Sequence, residues 1–134
     1  MLTLIVEDDF TSRILLQKFL APYSETHIAV NGQEAINAYK NSFEQGGPYD
    51  LICLDIFIPE KDGLLVLHEI RAHENKKHQP PYKKVKIVMT TSMDDPKSVA
   101  SAFHEYCDGY LIKPISRNKL INQLKVLKLI SESE

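Results

Sequence analysis

Short apolar runs alternate with longer amphipathic stretches five times along this chain of 134 residues. Each apolar run is nearly continuous and is bounded by polar or turn-forming residues, which is typical of a strand buried on both faces of a sheet. Strands are therefore predicted over residues 2–6, 26–30, 51–54, 85–90 and 110–112.

Helix signals lie between these strands and after the last one. Short polar side chains stand where they can accept the free N–H groups of a first helical turn. Residues 75–84 are polar and basic, so they are predicted to form an exposed loop whose lysine pairs are solvated charges. The predicted caps are Asp9 or Thr11, Asn31, Asp94 or Asp95, and Ser116. The first, second, third and last helices are expected to end near residues 20, 43, 74 and 130.

The alternation of strands and helices favours a parallel sheet with helices on both faces. Because crossovers between parallel strands are right-handed, the predicted fold class is α/β, a doubly wound five-stranded parallel sheet. Only four residues follow the last predicted helix, so residues 1–134 are expected to form a single domain.

Composition narrows the class of protein. Apolar residues make up 43% and charged residues 25%, which is ordinary for a folded domain and excludes a disordered or fibrous chain. Sixteen basic residues against eighteen acidic ones give a net charge of −2, which favours neither nucleic acid nor an anionic membrane as a partner. No apolar run reaches the ~18 residues of a membrane span. Two cysteines without metal-type spacing favour a cytoplasmic location.

Polar side chains collect at the predicted carboxyl ends of the strands, which all lie at one edge of a parallel sheet. The amino ends of the strands carry no such collection. The residues concerned are Glu7, Asp8 and Asp9 after the first strand, Asp55 after the third, Thr90, Thr91 and Ser92 after the fourth, and Lys113 after the fifth.

These residue types suit phosphoryl transfer. Carboxylates that converge from two strands repel each other unless a cation lies between them, and Mg²⁺ prefers such oxygen ligands, with Mn²⁺ as an alternative. An aspartate beside Mg²⁺ is able to attack a phosphoryl group, while a lysine and a hydroxyl stabilise the phosphoryl oxygens. The pattern therefore predicts a site that accepts a phosphoryl group.

Four motifs, taken in order, resemble the receiver domain of two-component response regulators, including the single-domain chemotaxis type. The resemblance extends from residue 2 to about residue 130, and it implies a flavodoxin-like sheet with strand order 2-1-3-4-5. The motifs are Val6-Glu7-Asp8-Asp9, Leu54-Asp55-Ile56-Phe57-Ile58-Pro59 with Asp62-Gly63, Met89-Thr90-Thr91-Ser92, and Gly109-Tyr110-Leu111-Ile112-Lys113-Pro114.

The resemblance implies a metal site and a phosphorylated residue. Asp55 is expected to be the aspartate that becomes phosphorylated. Glu7 and Asp8 match the acidic pair that binds Mg²⁺. The carboxylate of Asp55 and the backbone carbonyl of Phe57 are expected to complete the protein ligands.

Further positions match residues that contact the phosphoryl group or respond to it. Lys113 matches the family lysine, and the peptide bond that follows it is expected to be cis. Thr91 matches the switch hydroxyl, and Tyr110 matches the switch aromatic residue. Ser92 stands where alanine is usual, and its backbone N–H is expected to reach the phosphoryl group.

The resemblance predicts a signalling protein that catalyses only its own phosphorylation and slow dephosphorylation. The expected phosphoryl donor is a sensor histidine kinase or a histidine phosphotransfer protein. Output is expected through a protein target that contacts the predicted fourth helix, fifth strand and last helix, with no direct DNA binding and no membrane contact. A dimer that forms on phosphorylation is a further expectation.

Two other functions share parts of this pattern. A phosphatase of the haloacid-dehalogenase type also uses an aspartate nucleophile, but it needs a second aspartate two residues later, where this chain has Phe57. A flavodoxin-like cofactor binder needs a Ser/Thr/Gly-rich phosphate loop after the first strand, where this chain has acids. Phe57 and Met93 are also expected to flank the approach of water to the phosphoryl group, which predicts slow dephosphorylation.

Overall fold

The computed structural model describes residues 1–58, 60, 62–92 and 106–133. Within these residues, strands and helices alternate as far as the fourth strand, as the sequence predicts. The strands are β1 (Leu2–Val6), β2 (Glu25–Ala29), β3 (Leu51–Asp55), β4 (Lys86–Thr91) and β5 (Gly109–Ile112). The helices are α1 (Phe10–Leu20), α2 (Gly32–Glu44), α3 (Gly63–Lys76) and α4 (Arg117–Val126), and a short 3₁₀ helix (Pro81–Lys83) precedes β4.

Some predicted features lie outside the described residues. They are the helix predicted after the fourth strand with its cap at Asp94 or Asp95, Met93 beside the phosphoryl site, and Pro59 in the turn after the third strand. None of the helices in the described part of the chain is long and apolar enough to cross a bilayer.

All five strands pair in parallel in one sheet, in the order β2-β1-β3-β4-β5. The predicted doubly wound α/β fold and its strand order 2-1-3-4-5 are therefore confirmed. The register sets Val6 beside Leu54 and Asp55 beside Thr90, so β1, β3 and β4 end at nearly the same level. Side chains that follow these strands consequently meet at one edge of the sheet.

Two hydrophobic cores cover the two faces of the sheet. Helices α2 and α3 pack on one face, and α1 and α4 pack on the other. Strand β3 is buried along its whole length, which explains its continuous apolar sequence. The large side chains with almost no exposed surface are Leu4, Ile5, Leu16, Leu20, Leu51, Ile52, Leu54, Leu67, Ile70, Ile87, Leu120 and Leu124.

Each α-helix in the described part of the chain begins at a side-chain cap. A cap of this kind stabilises a helix by about 1 kcal/mol because it satisfies a free N–H group of the first turn. The cap of α1 is Asp9 rather than Thr11, so this helix starts directly after the acidic loop that follows β1. The caps are Asp9, Asn31, Asp62 and Ser116, and each accepts the backbone N–H of the residue three positions later.

The prediction that the last helix extends to about residue 130 is wrong by four residues. Helix α4 ends at Val126, and Lys128 then adopts a left-handed backbone conformation with φ of 60°. The N–H of Lys128 donates to the carbonyl of Lys125, and the N–H of Leu129 donates to the carbonyl of Leu124. These two hydrogen bonds form a Schellman motif, a helix ending that usually has glycine in the left-handed position. The sequence has no glycine there, so this end was not predicted.

Candidate functional site

Three carboxylates meet at the carboxyl edge of the sheet. Glu7 and Asp8 directly follow β1, and Asp55 is the last residue of the neighbouring strand β3. One side-chain oxygen from each lies within 4.8 Å of the other two. The register that sets Val6 beside Leu54 produces this contact, because it brings the next residues of both strands to the same level. The structure thus brings together the three acids that the sequence predicts for the site.

Lys113 joins the two buried acids of this group. Glu7 is 1% exposed and Asp55 is 5% exposed, so their carboxylates are largely removed from water. The ammonium group of Lys113 donates a hydrogen bond to Oδ2 of Asp55 at 2.8 Å and forms an ion pair with Oε1 of Glu7. The backbone N–H of Lys113 donates to the carbonyl of Thr91 at 2.7 Å, which fixes the lysine beside the end of β4. The predicted cis peptide bond after Lys113 is confirmed.

Burial and the neighbouring charges determine the protonation of this group. Burial raises the pKa of Glu7 from 4.5 to about 7, while the contact with the ammonium group of Lys113 opposes that rise and the nearby Asp55 adds to it. Burial acts to lower the pKa of Lys113, but its hydrogen bond to Asp55 and its ion pair with Glu7 outweigh burial and raise this pKa above its ordinary value. Lys113 therefore stays protonated at neutral pH, and its single positive charge faces three carboxyl groups.

The environment of Glu7 fits a bound cation. Oε2 accepts the backbone N–H of Asp9 at 3.1 Å, whereas Oε1 has Lys113 against it but receives no well-aligned hydrogen bond. Across the described ranges, Oε1 is the one buried side-chain oxygen or nitrogen in this condition. A buried carboxylate oxygen with spare acceptor capacity, close to the exposed carboxylate of Asp8, belongs to a donor set that suits Mg²⁺. The residues present therefore fit the predicted metal.

Asp55 is held in place through both of its side-chain oxygens. Oδ1 accepts the backbone N–H of Phe57 at 3.0 Å, and Oδ2 accepts the hydrogen bond from Lys113. The N–H of Ile56 donates to the carbonyl of Thr90 at 3.1 Å, which ties the loop after β3 to the neighbouring strand. The phenyl ring of Phe57 is 59% exposed, so it shields Asp55 from water less than the prediction of slow dephosphorylation assumes.

Gly63 allows helix α3 to start in close contact with the end of β3. Its N–H donates to the carbonyl of Ile56 at 2.9 Å. A Cβ at position 63 would lie 2.3 Å from the carbonyl oxygen of Asp55 and 2.8 Å from the Cα of Ile56. These distances are far inside van der Waals contact, so a larger residue fits only if the end of β3 moves. In the Asp62-Gly63 motif, Asp62 therefore caps α3, and Gly63 leaves room for the backbone at the end of β3.

The other predicted site residues lie at or near the same edge. Thr91 ends β4 one position after Thr90, which is the register partner of Asp55, and Thr91 is buried. Ser92 follows and is exposed. Tyr110 lies on β5 and packs, half-buried, against the core beneath α2 and α3. The positions agree with the predicted roles, but the roles themselves stay predictions.

Arg13 supports the acidic loop, a role that the sequence pattern did not predict. Its Nη1 group donates to the carbonyl oxygens of Glu7 at 3.3 Å and Asp8 at 3.2 Å. Its guanidinium group also lies over the ring of Phe10, 5.6 Å from the ring centroid. The sequence feature that could have indicated this contact is a basic residue in the second turn of a helix capped by Asp9. A long side chain in that turn is able to reach the loop before the helix.

Comparison with known proteins relates this site to a family. A family model described as the response regulator receiver domain matches residues 3–125. Transcriptional regulatory protein SrrA of Staphylococcus aureus is 34% identical over 125 residues, which cover 92% of this chain and 46% of that protein. The chain spans about half the length of the curated relatives it matches.

Two solved structures share the fold over almost the whole chain. One is the co-crystal structure of the Saccharomyces cerevisiae histidine phosphotransfer signalling protein Ypd1 and the receiver domain of its downstream response regulator Ssk1. It has a TM-score of 0.78 and 26% identity, and the match covers 98% of this chain and 93% of that chain. The other is the CheX-CheY-BeF₃-Mg²⁺ complex from Borrelia burgdorferi, with a TM-score of 0.77, 25% identity and coverage of 96% and 89%. Since the family match extends over residues 3–125, the chain belongs to the response regulator receiver domain family, the signalling phosphoacceptors of two-component systems.

Proposed function

We propose that Asp55 accepts a phosphoryl group from a phosphohistidine of a sensor kinase or a histidine phosphotransfer protein. The observation that carries this proposal is the position of the Asp55 carboxylate, which accepts a hydrogen bond from the ammonium group of Lys113 and lies within 4.8 Å of the carboxylates of Glu7 and Asp8. A single aspartate held in this way combines a nucleophile with nearby groups that stabilise phosphoryl oxygens.

In the proposed reaction, a carboxylate oxygen of Asp55 attacks the phosphorus atom of the phosphohistidine. A phosphorus–oxygen bond forms while the phosphorus–nitrogen bond breaks. The histidine leaves with the electron pair of the broken bond, and the product is an acyl phosphate. Lys113 neutralises charge on the phosphoryl oxygens, and the hydroxyl of Thr91 and the backbone N–H of Ser92 donate hydrogen bonds to them.

Glu7, Asp8 and Asp55, with the backbone carbonyl of Phe57, are proposed to hold Mg²⁺. The three carboxylates bring more negative charge than Lys113 balances, and the Glu7 oxygen that contacts Lys113 without a well-aligned hydrogen bond supports a cation here. When bound, Mg²⁺ supplies positive charge that offsets the charge of the transferring phosphoryl group. Mn²⁺ is proposed as a substitute because carboxylate and carbonyl oxygens suit it as well.

The signal is proposed to pass from Thr91 to Tyr110. A phosphoryl group on Asp55 offers new acceptor oxygens near the end of β4, and a movement of the Thr91 hydroxyl toward them would vacate space beside β5. Tyr110 would then change its position. The surface that includes β5 and α4 would present a different contact to a downstream protein or to a second phosphorylated copy. The assemblies named for the Ypd1 and CheX structures support protein contacts as the mode of signalling.

The phosphatase and cofactor-binding alternatives are less well supported. A phosphatase of the haloacid-dehalogenase type needs a proton donor two residues after its nucleophile, and Phe57 has no group that carries a proton. The acidic loop after β1 would repel the phosphate of a flavin. We infer that the chain promotes only its own phosphorylation and the loss of that phosphoryl group.

Residues 1–134 are proposed to form one receiver domain, and its net charge of −2 gives this domain no general attraction for DNA. The free thiols of Cys53 and Cys107 support a location in a reducing compartment such as the cytoplasm. Burial raises the pKa of the Cys53 thiol to about 12, so this cysteine acts as a buried apolar residue.

Incubation with acetyl phosphate and Mg²⁺, followed by intact-mass measurement, tests the proposed function. The wild type is expected to gain one phosphoryl group, EDTA is expected to suppress the gain, and Mn²⁺ is expected to restore it. Asp55→Asn should gain none. The matched control is Asp9→Asn, which removes an adjacent carboxylate but keeps a residue that caps α1 well, and it should gain the group. Phosphorylation of Asp55→Asn at the wild-type rate would contradict the proposal.

A further inference from the structure

A groove of about 700 Å³ lies at the amino edge of the sheet, at the opposite end of β3 from Asp55. The segment before β4, the start of β4 and the residues after α4 line it. Its charged side chains, which the sequence pattern did not predict at this edge, are four lysines and one aspartate: Lys83, Lys84, Lys86, Lys128 and Asp50.

The positive charge of this lysine groove is not neutralised by the fold. Within the described ranges, none of its four ammonium groups lies within ion-pairing distance of a carboxylate. Lys84 donates to the uncharged side-chain oxygen of Asn75 at 3.0 Å, which positions the ammonium group without cancelling its charge. Oδ2 of Asp50 accepts the backbone N–H of Leu2 at 2.8 Å, which leaves its negative charge in place, so four lysines face one aspartate in the groove.

The lysine groove also offers apolar and aromatic surface. Tyr82 is 81% exposed, although large aromatic side chains are commonly buried in a core or in an interface. It sits in the short 3₁₀ helix, where the N–H of Lys83 donates to the carbonyl of Pro80 at 2.9 Å and holds the turn. Leu127 and Leu129 line the groove after α4.

Lys128 occupies a backbone conformation that favours glycine. Its φ of 60° is disfavoured for a residue with a Cβ, and the paired hydrogen bonds at the end of α4 would form equally well with glycine. The chain thus places a lysine among the residues that line the groove, at a position where a side chain strains the backbone.

We propose that the lysine groove binds an acidic peptide segment of a partner protein, one that carries an apolar or aromatic side chain among its carboxylates. The lysines would pair with the carboxylates, and Tyr82 with the two leucines would contact the apolar side chain. A nucleic acid fits less well, because the chain has a net charge of −2 and the groove includes Asp50. The proposal does not depend on phosphorylation of Asp55.

Titration of the isotope-labelled whole chain with the synthetic peptide Glu-Glu-Phe-Glu-Glu, followed by NMR, tests the proposal. Amide shifts are expected around Tyr82, Lys86 and Lys128, and the glutamine version of the peptide should give none. Lys83→Gln combined with Lys86→Gln should weaken binding at least tenfold, whereas Lys18→Gln on the exposed side of α1 should not change it.

Lys128→Gly separates loss of binding from loss of folding. This variant should melt at the same temperature as the wild type or higher, because it relieves backbone strain, and it should still bind the peptide several-fold more weakly. Wild-type affinity in this variant and in the double variant would overturn the proposal. So would equal binding of the glutamine peptide, tighter binding of oligothymidylate, or self-association of the chain through the same amides.

Discussion

The protonation of Glu7 responds strongly to folding. Its pKa rises from 4.5 to about 7 because the folded chain buries it beside Asp55, with Lys113 compensating only in part. The folded protein therefore binds this proton more tightly than the unfolded chain does. The resulting stabilisation is complete below about pH 4.5 and is lost as the pH rises through about 7.

Glu7→Gln is expected to remove this pH dependence in metal-free protein. Above pH 7 the variant should be more stable than the wild type by roughly 1 to 3 kcal/mol, since a neutral amide replaces a buried charge. Urea denaturation in EDTA at a series of pH values measures the difference. Glu132→Gln, at an exposed position, is the control and should follow the wild type. A constant difference between Glu7→Gln and the wild type from pH 5 to pH 8 would refute this assignment.

Gly63 provides a second prediction at the scale of one residue. Gly63→Ala should destabilise the fold by about 1 to 3 kcal/mol and slow phosphorylation, because the new methyl group collides with the backbone of Asp55. Gly47→Ala is the matched control, since a Cβ there meets nothing within 4 Å. Thermal unfolding and the acetyl phosphate assay measure both effects. A neutral result for Gly63→Ala would show that the end of β3 adjusts without loss.

The helices and strands differ in how far the sequence predicts them. Strands buried on both faces are continuous apolar runs, and caps such as Asn31 and Ser116 are short polar residues before a helix, so local patterns reveal both. The carboxyl edge was also predictable, because parallel strands bring Asp55 and Lys113 to one place. The end of α4 at Lys128 and the contacts of Arg13 depend on conformation and tertiary packing, which a local pattern does not record.

A network around Arg71 connects α3 with the starts of β4 and β5, and it too was missed. Arg71 donates to Glu74 at 2.7 Å, to the carbonyl of Val85 at 2.8 Å and to Asp108 at 3.0 Å. Glu74 is 2% exposed and also accepts the N–H of Val85 at 2.7 Å. In the sequence, an arginine and a glutamate three residues apart on a helix resemble an ordinary surface pair, so their burial is not predictable.

Arg71→Met is expected to destabilise the protein by about 3 to 5 kcal/mol, because it leaves Glu74 buried without its positive partner. Adding Glu74→Gln should recover part of this loss. Lys76→Met, at an exposed position of the same helix, should change stability by well under 1 kcal/mol. Urea denaturation of the four proteins provides the comparison. If Arg71→Met matches Lys76→Met, the buried network does not stabilise the fold.

At the scale of the whole molecule, the sheet separates two chemical environments. Carboxylates surround Lys113 at the carboxyl edge, and lysines surround the groove at the amino edge. The five residues of β3 span about 13 Å between the edges, and the residues that line the lysine groove include none of the carboxylates or the lysine of the carboxyl edge.

Chemical mapping of the phosphorylated residue tests the central claim most directly. Borohydride reduces an aspartyl phosphate to homoserine, which peptide mass spectrometry locates in the sequence. After treatment with acetyl phosphate and Mg²⁺, homoserine is expected at position 55 and at no other aspartate, including Asp8, Asp9 and Asp62. Homoserine at one of those positions with an unchanged Asp55 would contradict the account.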